Sequence, residues 1–185
     1  MLINIVLVLA LLIALILVMA LFAKKEFTVQ REVVINDSTR NVFDFIRFLR
    51  NHRMFSKWST REAGKKSDTT GVDGTVGFVA VWDNYKERAG LGELEIRKIV
   101  DDEIIDLEHR YFKPVKGKAR TQITTTSFTE TQTKVKWVYT GISDYPINIL
   151  TSMLNMDKII GKDLEGALNN LKHVIEEPTS ETTNF

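Results

Sequence analysis

The chain has 185 residues, 44% of them hydrophobic and 26% charged, which suits one globular domain with little left for a second. A formal charge of +1 leaves no basic surplus to recognise nucleic acid. With no cysteine, disulfides, thiolate metal sites and cysteine nucleophiles are excluded.

From Ile5 to Ala23 no residue is polar or charged. At 1.5 Å per residue such a helix spans about 28 Å, close to the hydrocarbon thickness of a bilayer. We therefore expect a membrane anchor over residues 1–25, with residues 3–23 in the bilayer. A cleaved signal peptide would carry basic residues ahead of the apolar run and small residues at the cut, whereas Leu21-Phe22-Ala23 is a poor cleavage site. A buried core helix would be shorter or amphipathic. Lys24, Lys25 and Arg31 follow the run, and no basic side chain precedes it. The positive-inside rule then predicts a single-pass membrane protein with its soluble domain in the cytoplasm.

A domain is expected over residues 26–177 and a disordered tail over 178–185. Glu26 to Asn36 alternates like a strand, and Asn36-Asp37-Ser38 supplies N-cap chemistry. Val42, Phe43, Ile46 and Leu49 then recur at helical spacing. Asn51 to Trp58 reads as a second short helix or turn with an aromatic cluster, and Arg61 to Gly74 as a polar loop. Strands are predicted over Thr75–Trp82, Tyr85–Val100, Glu103–Phe112, Ala119–Phe128 and Thr133–Gly141, with a turn at Asp83-Asn84 and a bulge near Gly90 and Gly92. After Pro146 the period changes. Leu150, Met153, Leu154, Met156, Ile160, Leu164, Leu168 and Leu171 mark one stripe of a long helix that Pro178 ends. Strand, two short helices, five strands and a long helix make an antiparallel meander with one helix across it, and the space between is a natural ligand cavity.

The segments VQREVVINDSTRNVFDFIRFLRNHRMFSKWS, DGTVGFVAVWDN, GLGELEIRKIVDDEIIDLEH and NMDKIIGKDLEGALNNLK resemble the SRPBCC superfamily, the START-like helix-grip proteins, and its polyketide cyclase/dehydrase-like group. The resemblance runs from about Lys25 to Glu176. It implies an α+β helix-grip fold, a curved antiparallel sheet wrapped on a long C-terminal helix, here with an added N-terminal transmembrane helix. The superfamily carries lipid transfer, hormone sensing, cyclisation and chaperone stimulation on one scaffold, so the resemblance speaks to fold more than to function.

Strand parity places Phe78 and Trp82 on one face, His109 and Tyr111 with Ile105 and Leu107, and Trp137 and Tyr139 with Val135. Together with Trp58, and with Met153 and Met156 on the long helix, these are the expected lining of a hydrophobic ligand site, although such stripes also build cores. His109 is the candidate acid or base, against the alternative of a buried neutral histidine. His52 and His173 are expected at the surface. Glu93 and Glu95 share a strand face, expected to be solvated and opposed by Arg97 and Lys98. No cofactor or metal site is indicated, for no phosphate loop, nucleophile elbow or dinucleotide pattern occurs. Three functions follow: a membrane-tethered binder, transporter or sensor of a small hydrophobic molecule or lipid; a cofactor-independent cyclase or dehydratase using His109 or a carboxylate; and a protein-interaction module.

Overall fold

The computed structural model describes residues 1–56, 69–84 and 90–177. Helix α1, Leu2–Phe22, has 21 residues and is long and apolar enough to cross a bilayer. Only Ala20 of it is buried. The backbone leaves the helix at Ala23 and, after Lys24 and Lys25, enters strand β1, Glu26–Ile35.

Two short helices follow, α2 (Thr39–Arg47) and α3 (Leu49–Phe55). Ser38 caps α2 by accepting from the Asn41 N–H, and Val42, Phe43 and Ile46 form its buried stripe. The cap of α3 comes from far along the chain. The Asp73 carboxylate accepts from the backbone N–H groups of Leu49 and Arg50 at 2.8 and 3.1 Å.

The strands are β2 (Thr69–Thr70), β3 (Val79–Asn84), β4 (Gly90–Val100), β5 (Ile104–Lys113), β6 (Gly117–Thr129) and β7 (Gln132–Ile142). They form one antiparallel sheet in the order β1-β7-β6-β5-β4-β3-β2, so the first strand pairs with the last. Two helices follow, α4 (Asn148–Met153) and α5 (Met156–Glu176). Leu164, Ala167, Leu168 and Leu171 of α5 are buried with Val29, Ile35, Ile96, Ile105, Ile123 and Val135 of the sheet. A bidentate pair between Arg31 of β1 and Asp157 in the first turn of α5, at 2.9 and 3.0 Å, ties helix to sheet. This is the expected α+β helix-grip fold with an added N-terminal apolar helix.

Several expectations need correction. The sheet has seven strands because Thr69–Thr70 pairs with Ala80 and Val79. β3 starts at Val79, since positive φ at Gly74 and Gly77 turns the preceding backbone, and it continues through Asp83-Asn84. The bulge expected near Gly90 and Gly92 is present between Leu91 and Gly92, and a second register shift lies between Ile96 and Lys98. The long helix breaks at Leu154-Asn155, where the Asn155 side chain accepts from the Lys158 N–H at 2.9 Å and starts α5 afresh. Trp58, the first residues of the strand expected from Tyr85, and the tail 178–185 lie outside the described residues.

Candidate functional site

The concave face of the sheet carries the aromatic residues in register rows. One row reads Gly117–Tyr111–Gly92–Trp82 across β6, β5, β4 and β3. The next reads Phe27–Gly141–Ala119–His109 across β1, β7, β6 and β5. Large rings thus alternate with very small residues. A Cβ on Gly92 would overlap the Trp82 indole, and one on Gly141 would overlap the Phe27 ring. The missing side chains let the rings lie down on the sheet.

Those rings form one cluster. Trp82 meets Tyr111 edge-on, with centroids 5.8 Å apart. His109 stacks on Tyr111 at 6.1 Å and lies 6.0 Å from Tyr139. The Tyr111 and Tyr139 hydroxyls share a hydrogen bond of 3.2 Å. Burial raises both phenols above their ordinary value, so at neutral pH they are uncharged hydrogen-bonding groups. His109 is 8% exposed, and its Nε2 is 3.0 Å from the Thr121 hydroxyl. Burial, helped by the nearby His52, pushes its imidazole down to about 4. Phe78 and Trp137 are buried in the same interior, with Trp137 6.1 Å from Phe55.

His52 is not at the surface as expected. It is 3% exposed because its ring packs against Phe55 and Trp137. Its Nε2 donates to the Ile46 carbonyl at 2.7 Å, and its ring lies 5.0 Å from Phe55. Burial lowers its pKa too.

A recess of about 230 Å³ opens at the end of the sheet where β5 turns into β6. Phe27, Tyr111, Tyr139 and Met156 form its inner wall, while Val115, Lys116, Tyr145 and Ile147 form its rim. A second recess of about 510 Å³ lies beyond Phe27, Thr151 and Met156, against Ala23, Lys24 and Glu26 at the foot of α1. The larger lies within the range usual for small-molecule sites, about 300–1,000 Å³, and the smaller lies below it. Among the expected lining residues, Tyr111, Tyr139 and Met156 face the smaller recess. His109, Phe78, Trp82 and Trp137 stand behind it in the packed interior. Met153 stands apart, 78% exposed on α4, because the break at Asn155 takes α4 off the stripe that α5 buries. Phe27 and Thr151 are lining residues that strand parity and helical spacing did not single out.

Glu93 and Glu95, on the opposite sheet face, are held by a neighbour that the sequence reading missed. Arg110 of β5 bonds Glu93, Glu108 and Glu95, the last at 2.7 Å. Arg97 takes the other oxygen of Glu95. Burial alone would lower the Arg110 guanidinium, but the three carboxylates together raise it. Three carboxylates against two guanidiniums make it a paired structural network with one negative charge in excess. Among the described residues no three His, Asp or Glu side chains converge as metal ligands.

No family model and no curated protein matches the chain. Solved structures do match. Protein SA2116 from Staphylococcus aureus superposes with a TM-score of 0.60 at 13% identity, over 82% of this chain and 94% of that one. Ara h 8.0201 gives 0.57 at 12% identity, over 82% and 98%. DynU16, from the dynemicin biosynthetic locus, gives 0.56 at 11%, over 81% of this chain and 47% of its own. At such identities the likeness is one of fold, the α+β helix-grip fold described above.

Proposed function

We propose that the chain is a membrane-tethered binder of a small hydrophobic molecule or lipid. Residues 3–23 cross the bilayer, residues 26–177 form the binding domain on the cytoplasmic side, and the recess between the sheet and the α4–α5 corner receives the ligand. The observation that carries this reading is the recess lined by Phe27, Tyr111, Tyr139 and Met156 beside the foot of the apolar helix. Phe27, Tyr111, Tyr139 and Met156 make one side of it aromatic and aliphatic, Lys116, Lys118, Ser143 and Asp144 add polar groups, and the Tyr111–Tyr139 hydroxyl pair offers a polar point to orient a ligand's head. A tether raises the local concentration of the site next to molecules dissolved in the membrane.

His109 enters this reading as a structural group. General bases work best with a pKa near the operating pH, and one held at about 4 is weak at neutrality. Its ring is also engaged with Thr121 and Tyr111.

The test is to purify the full chain from membranes and identify co-purifying apolar species by mass spectrometry. Displacement of a fluorescent fatty-acid probe is then compared in the parent chain and in Thr151→Trp. Thr151 lines both recesses and otherwise makes only a local bond to the Asn148 carbonyl. Its indole would fill the space, and probe binding is expected to be lost. No co-purifying apolar species, together with equal probe binding by both chains, would sink the proposal.

A further inference from the structure

Six large apolar side chains are exposed around the recess and on α4: Val115, Tyr145, Ile147, Leu150, Met153 and Leu154. Val115, Tyr145 and Ile147 share the recess rim, and the other three lie on or just after α4. The core has no use for them. Leu164, Ala167, Leu168 and Leu171 of α5 already supply the helix face buried with the sheet. Scattered apolar residues at a surface need no explanation, but a contiguous group rimmed by polar side chains marks an interaction site.

The position of this group says what covers it. Only Ala23, Lys24 and Lys25 separate α1 from β1, and three residues reach at most about 10 Å. The joint is also braced. Asn148 of α4, fully buried, donates from Nδ2 to the Ala20 and Ala23 carbonyls at 2.7 and 3.0 Å. These groups at the end of α1 would otherwise lack partners. The Ser152 hydroxyl donates to the Lys24 carbonyl, and the Ser143 N–H to that of Lys25. The end of the domain that carries the apolar group is thus held at the mouth of the apolar helix. Exposed Lys24, Lys25, Lys116 and Lys118 surround it, against exposed Glu26 and Asp144. Apolar side chains within a lysine collar are what the interface of an anionic leaflet accepts.

We propose that α4 and the tip of the β5–β6 hairpin lie in the interfacial layer of the bilayer that α1 crosses, against anionic lipid, so that the recess opens to the membrane and its ligand enters without passing through water. The proposal rests on the tethered reading above and adds the face, the depth and the route.

The chain has no cysteine, so single cysteines can be introduced at will. Met153→Cys, Val115→Cys, Phe128→Cys and Leu12→Cys, each in the full chain, would carry an environment-sensitive fluorophore. Each would be reconstituted in vesicles of phosphatidylcholine with phosphatidylserine. Phe128 is the control, 57% exposed and near the far end of β6, which starts at Gly117. Depth is read with spin-labelled lipids and access with aqueous iodide, and near-ultraviolet circular dichroism checks the fold. Labels at 153 and 115 are expected about 5–10 Å into the headgroup and acyl boundary. They should be shielded from iodide, with the label at 128 fully accessible. Iodide access at 153 and 115 equal to that at 128, with the label at 12 in the acyl region, overturns the interfacial face and leaves the tether standing. A label at 12 that is itself accessible to iodide overturns the tether and this proposal with it. A shielded face on a chain that binds no apolar molecule would confirm the docking and refute the entry route.

Discussion

Acid should destabilise this domain well above the range where carboxylates titrate, and His109 should account for much of the loss. The ordinary imidazole pKa is about 6.5, and burial lowers that of His109 to about 4 in the folded protein. A base whose folded pKa lies below its unfolded value binds more protons when unfolded. Its contribution to stability is therefore complete above pH 6.5 and drains away as pH falls towards 4. Linkage over this shift amounts to about 2 kcal/mol between pH 7 and pH 5, and to roughly 3 kcal/mol at its limit. His52, buried beside Phe55, adds a loss of the same sign in the same window. Glu95 and Asp157, whose carboxyls are held down by Arg110 and Arg31, contribute only at lower pH. The perturbation is His109→Gln, which keeps a hydrogen-bonding group near Thr121 and removes the titration. The assay is urea unfolding of the full chain in nanodiscs at half-unit pH steps, followed by near-ultraviolet circular dichroism. The parent chain should lose about 2 kcal/mol or more between pH 7 and 5, and the variant about 2 kcal/mol less than the parent. Parallel stability curves for the two chains would refute the reasoning, because the imidazole would then take up its proton equally in both states.

Three further outcomes follow from packing and capping. Gly92→Ala sets a methyl against the Trp82 ring and the Arg110 carbonyl, and such overpacking should cost about 1–3 kcal/mol by urea unfolding. Leu168→Ala empties a site that is 1% exposed at the α5–sheet contact and should cost about 2–5 kcal/mol in the same assay. Asn155→Ala removes the cap that starts α5 and should cost about 0.5–2 kcal/mol, with hydrogen exchange accelerated most at the Lys158 amide.

Local patterns in the chain were sufficient for a good part of this architecture. An uninterrupted apolar run is legible as a membrane-length helix because bilayer thickness and helical rise are constants. The strands from Val79 onward are legible because a sheet with one buried face imposes a two-residue alternation, and Leu164 to Leu171 are legible because a helix packed on one side imposes a period near 3.6. Ser38 and the bulge at Gly92 follow from equally local chemistry. The resemblance carried by dispersed motifs then supplied the order in which the elements assemble.

The site was less legible, since its parts are set by neighbours far along the chain. His52 sits among charged residues in sequence, yet Phe55 and Trp137 bury it. Glu93 and Glu95 look solvated until Arg110 is paired across from them. Met153 fits the helical stripe, but the Asn155 cap breaks the helix before the stripe can bury it. Phe27 becomes a wall of the recess because β1 pairs with β7 and places it opposite Gly141, and no property of Phe27 alone implies that. Asn148 braces the foot of α1 across 128 residues of chain. The sequence by itself determined which face of the strands and of α5 would be buried, because burial periodicity is a local property. Tertiary structure alone decided which buried groups meet, where space is left between them and which apolar residues remain uncovered, because those depend on register and chain closure.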